Sequence, residues 1–310
     1  MTLIRKPSEL SVQTKIKALI YGQAGTGKST LALSAPKPLM LDFDGGVHRV
    51  NYSHQTPTVQ ISSWEDCESV LKEDLKEFDS LVIDTGGKML DYMADYIVRK
   101  NSKMGRSNGA LTLQGYGERK GMFRQFCRQI MLMNKHLIFV AHRDTQKINE
   151  DYRYVPLFGG SSYDDLVTDL DLVGYLEAVG KKRMITFDPS DRNDGKNTCN
   201  LPTIVELPTV VDASGTGTAN IFLTESVIKP YIANLEIRKQ TASKYEVVIK
   251  EVKEAIELIT DELSANDLID RIDAFDHTGN SKAVAGKLLN EKTKALGLKF
   301  NKVSKRYEKS

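Results

Sequence analysis

The residues best suited to chemistry lie in one nonapeptide: Gly22, Gln23, Ala24, Gly25, Thr26, Gly27, Lys28, Ser29 and Thr30. Gly22, Gly27, Lys28 and Ser29 satisfy the pattern G-x-x-x-x-G-K-S/T. Glycines let the backbone wrap close to an anion, and the amides of such a loop and of the helix it opens point at phosphate oxygens. Lys28 is expected to reach the β and γ oxygens of a triphosphate, the Ser29 hydroxyl to ligate Mg²⁺, and Thr30 to support the helix start. The apolar run IKALIY precedes the loop and LALS follows it, which is the strand–loop–helix setting a chance match would lack. ATP and Mg²⁺ are the expected cofactors.

A phosphate loop alone hydrolyses nothing, because the metal needs a carboxylate and the attacking water needs a positioned base. SLVIDT supplies Asp84 at a strand end as the metal-side carboxylate, although an Asp there also serves to cap a turn. LMLDFDGG offers Asp42 and Asp44. Only one of the two is expected to be catalytic. HLIFVAHRDT puts His142 where a γ-phosphate sensor would sit; a satisfied polar histidine is the other reading. His48 and His54 are expected at the surface, and Trp64 in packing.

These side chains need a scaffold that brings strand ends together. Short apolar runs alternate with amphipathic segments from Lys15 to about Pro208, as in a βα-repeating parallel sheet. Expected strands are KALIYG, PLMLDF, SLVIDT and HLIFVAH, then LVGYLEAV, RMITFDP and IVELP. The first four are nearly continuous apolar runs, which suits burial on both faces. Helices are expected over Lys28–Ala35, Ser63–Phe78, Lys88–Lys100 and Glu118–Asn134. Thr209–Asn220, small, polar and aperiodic, reads as a linker, dividing a core over 1–210 from a mostly helical unit over 211–310. In that unit Val248, Val252, Ala255, Ile256 and Ile259 share a helical face, Ser264 is the expected N-cap of a second helix, Gly297 closes a third, and the last residues suit a hairpin.

The chain's 310 residues hold 43 basic and 41 acidic side chains, so no chain-wide attraction to nucleic acid follows and any basic surface is local. Cys67, Cys127 and Cys199 lack paired spacing, so neither a zinc site nor a disulfide framework is suggested. No apolar run approaches the roughly 18 residues of a membrane span. MTLIRKPSEL lacks a signal-peptide apolar core, so a soluble cytoplasmic protein is expected.

With the phosphate loop, LDFDGG, VIDTGG and FVAHRD in this order, the chain resembles the RecA-like P-loop ATPase superfamily. Within it, the chain is similar to the compact phage ATPases of the Sak single-strand annealing group, fourth type. The resemblance covers about two thirds of the chain, Lys15 to Pro208. It implies an α/β RecA-like core with a central, mainly parallel sheet. It matches Asp44 to the catalytic acid, Asp84 to the metal-site aspartate and His142 to the sensor leading into a DNA-binding loop. The superfamily commonly has Glu at the first of these positions; Asp44 is one methylene shorter, and Asp42 stays in reserve.

Single-stranded DNA is the expected partner, through two loops. Arg99–Gly121 carries Lys103, Arg106, Arg119 and Lys120; the segment from His142 to Ser162 interleaves Arg143, Lys147 and Arg153 with Tyr152, Tyr154 and Phe158. Cations for phosphates and rings for base stacking suit single strands, and a solvated lid is the alternative. In the resembled superfamily a basic residue reaches a neighbour's γ-phosphate, for which Arg183, Arg192 and Lys196 are candidates. Ring or filament assembly and a single-strand-binding protein as partner follow from the same resemblance, as does a bacterial host cytoplasm for a phage-encoded chain. From Ser281 on, nine Lys or Arg stand against two Glu, and Glu251–Asn280 is acidic, suggesting a DNA-touching hairpin, a docking module or a solvated face. The reading is an ATP-hydrolysing recombination protein. A P-loop motor or helicase, and a small-molecule kinase, are the alternatives.

Overall fold

The computed structural model describes residues 3–5, 9–10, 13–148, 150–159, 163 and 167–309. Ten strands form the main sheet: β1 Lys17–Gly22, β2 Pro38–Asp42, β3 Thr58–Gln60, β4 Ser80–Asp84, β5 His136–Ile148, β6 Asp151–Pro156, β7 Leu172–Val179, β8 Lys182–Thr186, β9 Lys196–Asn197 and β10 Ile204–Glu206. The order is β10-β8-β7-β1-β5-β4-β2-β3, with β6 on β5 and β9 on β7. From β3 to β7 every pairing along this order is parallel. β8 and β10 extend the edge antiparallel. This is the expected α/β core with a mainly parallel sheet, and a helical C-terminal part follows it.

β1 and β4 are nearly all buried, as strands covered on both faces must be. On one face Leu19, Tyr21, Leu41, Ile83 and Phe139 pack against Trp64, Met89, Met93, Phe123 and Phe126. Those partners come from α2 Trp64–Val70, α3 Gly86–Lys100 and α4 Leu113–Leu132, while α1 Lys28–Ala32 follows the phosphate loop. Burying these large side chains supplies the main drive to fold, at roughly 1.5–3 kcal/mol each. Trp64 is packing, edge-on to Phe126 at 5.7 Å, and the three cysteines are free and buried.

Three expected helices have different limits. α2 stops at Val70, not near Phe78, because the Asp74 carboxylate accepts the Lys76 amide and Lys135 Nζ takes the carbonyls of Leu75 (2.6 Å) and Phe78 (2.5 Å). α1 is also shorter than expected, with Gly27 at φ 92° as its N-cap. α4 begins five residues early, N-capped by Thr112, whose hydroxyl accepts the Gly115 amide. A Cβ at Gly115 would crowd the Met104 carbonyl at 2.7 Å, so this glycine serves close packing rather than a loop.

Both expected DNA loops are more ordered than the sequence suggested. Arg99 and Lys100 end α3, a short turn covers Ser102–Met104, Gly105 bridges Leu111, and Arg119 and Lys120 stand on α4. The segment after His142 is an antiparallel hairpin, β5 with β6, from Arg143↔Pro156 to Ile148↔Asp151. Asn149 at its turn, and residues 160–162 beyond it, lie outside the described residues.

One compact unit spans Gln13–Tyr231 and a second includes Ile232–Ser310. Within the first unit the segment read as a linker is bonded to the core. Asn220 Nδ2 donates to the Thr30 carbonyl (2.7 Å), Thr224 Oγ1 to Ser34 O (2.8 Å), and Asn51 Nδ2 to Gly215 O (2.9 Å). His54 is buried beneath it, with Nε2 2.8 Å from Thr218 O, and is not a surface residue. A π-helical segment, Leu223–Ile228, leads into α5 Lys229–Glu257.

The second unit packs Val248, Val252 and Ile256 of α5 against Ala265 and Leu268 of α6 Glu262–Arg271, Ala285 and Leu289 of α7 Ser281–Ala295, and Leu298 and Tyr307 of the hairpin β11 Leu298–Asn301 with β12 Arg306–Lys309. The N-cap of α6 is Asp261; Ser264 is its reciprocal partner three residues on, in a capping box. Part of the tail's charge is paired inside the unit, Lys282 with Asp273 and Arg306 with Asp270, both at 2.8 Å.

Candidate nucleotide site

Register sets the site. Gly22 pairs with His142, Asp84 with Val140 and Asp42 with Asp84, so the carboxyl ends of β1, β2 and β4 finish in one row beside His142 of β5. That edge is where open parallel sheets bind ligands. Gly22 must lack a side chain, because a Cβ there would collide with the Leu176 carbonyl oxygen of β7.

A cavity of about 260 Å³ opens over this row, lined among others by Gly27, Lys28, Ser29, Asp44, Asp84 and His142. The sequence-predicted loop, both acids and the histidine are thus brought together. Ser29 Oγ donates to Asp84 Oδ2 at 2.5 Å. Burial pushes the Asp84 carboxyl up, the Ser29 hydrogen bond pulls it down, and Asp42 and Asp44 push it up further. Lys28 is buried, and Nζ donates to Gln23 O (2.8 Å), as does Thr26 Oγ1 (2.9 Å). Burial lowers the Lys28 pKa while Asp84 and Asp44 raise it.

Geometry separates Asp42 from Asp44. Asp42 is buried, and its carboxylate accepts the amides of Asp44 (3.2 Å), Gly46 (3.0 Å) and Val47 (3.0 Å). Asp44 projects into the cavity instead, with Oδ2 3.9 Å from His142 Nε2. A hydroxyl beside a buried carboxylate is a fitting donor pair for Mg²⁺, which takes few protein ligands and keeps waters or phosphate oxygens. No group of three or more metal-binding side chains occurs among the described residues.

Arg49 and Thr85 also line the cavity and were not singled out in the sequence. The available signal for Arg49 was a cation five residues past Asp44, on the turn that leaves the strand end.

The remaining candidates scatter. Arg183 lines a second cavity of about 330 Å³ beside the loop, with Gly25, Leu31, Pro208, Val211 and Phe222. Arg192 pairs with Glu177 (3.2 Å) and lies over the Tyr154 ring; Lys196 Nζ donates to the carbonyls of Val167 (3.2 Å) and Thr168 (3.0 Å). Lys103 and Arg106 are exposed, whereas Arg119 is buried over the Tyr116 ring and donates to Gly159 O (3.3 Å). Lys120 is half-buried on α4. On the hairpin, Arg143 stacks on Tyr154 at 4.1 Å and bonds the Tyr175 hydroxyl, and Arg153 pairs with Asp194 at 2.6 Å. Lys147 and Tyr152, opposite one another nearer the tip, are exposed.

A glycine-rich cradle between β1 and α1, facing a strand-end aspartate hydrogen-bonded to its serine, defines a P-loop ATPase core. A family model described as an AAA domain matches residues 14–199, and the chain belongs to that family. Comparison with curated proteins gives no significant match. Among solved structures, the chain is similar to the flagellar accessory protein FlaH from Methanocaldococcus jannaschii, at 10% identity and a TM-score of 0.34 over 62% of this chain and 84% of that one. No helix among the described residues is long and apolar enough to cross a membrane.

Proposed function

We propose that the chain hydrolyses ATP with Mg²⁺ as a single-stranded-DNA-binding recombination protein that anneals or pairs strands. The phosphates lie in the Lys28 cavity, and the base and sugar in the adjoining cavity with Leu31, Pro208 and Phe222. Ser29 and Asp84 would hold Mg²⁺, which would supply charge neutralisation to the triphosphate. Asp44 orients and deprotonates the attacking water, with His142 Nε2 3.9 Å from its carboxylate. Lys28 offsets charge on the transferring group.

The observation that carries the DNA part is the continuity of β5. The strand that presents His142 to the cavity runs without a break into the hairpin bearing Lys147 and Tyr152, exposed and paired across it. A cation beside a free ring suits sequence-tolerant contact with a single strand, and the binding falls with salt. Lys103 and Arg106 add to this surface. The hairpin is tied down by Arg143, Arg153 and the Tyr21 hydroxyl, which lies 2.8 Å from Asp194 O and 3.1 Å from Tyr154 O. Ring or filament assembly, and a single-strand-binding protein as partner, belong to the same proposal.

One observation favours a kinase as the second reading. A third cavity of about 340 Å³ shares Asp44, Thr85 and His142 with the phosphate cavity and is lined further by Lys88, Asp91 and Arg119, as an acceptor pocket would be. A motor or helicase shares the nucleotide site and differs in its use of DNA. ATP hydrolysis measured with and without single-stranded DNA, alongside native mass, separates these. DNA stimulation by a multimer that does not unwind duplex supports recombination; unwinding supports the motor. Phosphate transfer to a small acceptor with no DNA response overturns both DNA readings.

A further inference from the structure

One cation at the phosphate cavity has no partner. Arg49 ends the turn Val47–Arg49 and lines the same cavity as Lys28, Ser29, Asp44 and Asp84. Its side chain is exposed, and among the described residues its guanidinium makes no hydrogen bond or ion pair. Asp44, the nearest acid in sequence, faces His142 instead. Of the cations expected to act across a subunit boundary, Arg192 pairs with Glu177 and Lys196 donates to two carbonyls, while Arg183 lies beside a different cavity.

The backbone under Arg49 is fixed. Asp42 holds the amides of Asp44, Gly46 and Val47, and the Arg49 amide donates to Gly46 O at 3.0 Å. The same buried carboxylate therefore positions both the acid and the cation of this turn. The guanidinium lies along Gly46, 3.6 Å from where a Cβ would stand.

We propose that Arg49 meets the γ-phosphoryl oxygens in cis, so that each protomer carries its own full set of charges and turnover needs no basic residue from a neighbour. An unpaired guanidinium gives up no existing ion pair when it binds an anion, and its planar fork can bridge two phosphate oxygens. Charge on those oxygens is what the enzyme must offset as the terminal bond breaks and water oxygen bonds to phosphorus. Asp44 takes the water proton, and ADP leaves with the bridging oxygen.

The proposal rests on the ATPase reading, and the experiment separates the two. Wild-type chain is first titrated with ATP and ADP by calorimetry and assayed for phosphate release; absence of both binding and turnover removes the ATPase reading itself. With turnover present, Arg49→Ala is expected to lower kcat by about 10³-fold, the lower end for such a residue, to weaken binding of a non-hydrolysable ATP analogue and to leave ADP binding and the urea midpoint unchanged. Arg49→Lys recovers only part of kcat, because a point charge cannot bridge two oxygens. Arg49→Ala is then mixed with Lys28→Ala. Acting in cis, the two defects share one protomer's site and the mixture gives only the sum of its parents' rates. Recovery above that sum, or wild-type kcat in Arg49→Ala, overturns the proposal.

Discussion

The two ends of the central sheet bury the same kinds of residue and use them differently. At the amino ends, Lys135 Nζ donates to Leu75 O and Phe78 O, Ser80 Oγ to Pro36 O (2.7 Å), His136 Nδ1 accepts the Ile16 amide (3.2 Å) and Asp171 Oδ2 accepts the Lys17 amide (2.8 Å). Each polar group there is closed by backbone. At the carboxyl ends Ser29 meets Asp84, Asp44 faces His142, and the Arg49 guanidinium has no hydrogen bond or ion pair among the described residues, all around a cavity. Burial and residue type do not distinguish a structural lysine such as Lys135 from Lys28. What distinguishes them is hydrogen-bonding capacity that the fold leaves directed at an open space.

The strongest way to break this comparison is Lys28→Ala. Removing a charged partner from a buried phosphate contact costs about 2–5 kcal/mol, so ATP affinity should fall by two to three orders of magnitude and turnover should vanish. Calorimetric titration reads the first, phosphate release the second, with the urea midpoint as a check on folding. Lys28→Ala that binds ATP as the wild type does would make the carboxyl end no different from the amino end.

The next effect sharpens the contrast inside the carboxyl end. Asp44→Asn should retain ATP binding and the urea midpoint while kcat drops by about 10²–10⁴-fold, the range for a lost general base. Asp42→Asn should instead lower stability, by about 2 kcal/mol for a disturbed set of buried amide bonds. If Asp44→Asn turns over at the wild-type rate, Asp44 is not the base.

The residues on which these contrasts depend were legible where the signal is local. The phosphate loop has a fixed spacing, and the central strands are continuous apolar runs, so Lys28, Ser29, Asp84 and the core could be placed from sequence. Asp42 and Asp44 could be told apart only by where the amides of Gly46 and Val47 point. Features made by distant partners were not legible. From Arg143 to Lys147 the chain is polar on both strand faces, so this arm of the β5–β6 hairpin carries no apolar period and read as a loop. The small polar residues near Asn220 resemble a linker, and only their bonds to Thr30 and Ser34 reveal a strap. Arg119 read as a loop cation because glycines surround it, yet α4 buries it over Tyr116. Arg49 went unremarked because an exposed arginine is ordinary until a cavity is found beside it.

The smallest effect is expected at the amino end, in stability against pH. Burial and the charge of Lys15 push His136 down to about 4, with Asp79 opposing. In the unfolded chain the group returns to about 6.5. Between these values the unfolded state binds more protons, so stability rises with pH across that window. His136 therefore costs nothing above about pH 6.5 and removes up to about 3 kcal/mol as the pH falls toward 4. In His136→Gln the amide oxygen can still accept the Ile16 N–H, but nothing protonates there. The urea midpoint of this variant should fall less between pH 7 and pH 4.5 than that of the wild type, while ATP binding at pH 7 is unchanged, since the two ends of the sheet do separate work. Parallel loss in both proteins would mean that His136 is not the group that titrates, and altered ATP binding would mean that the two ends are coupled.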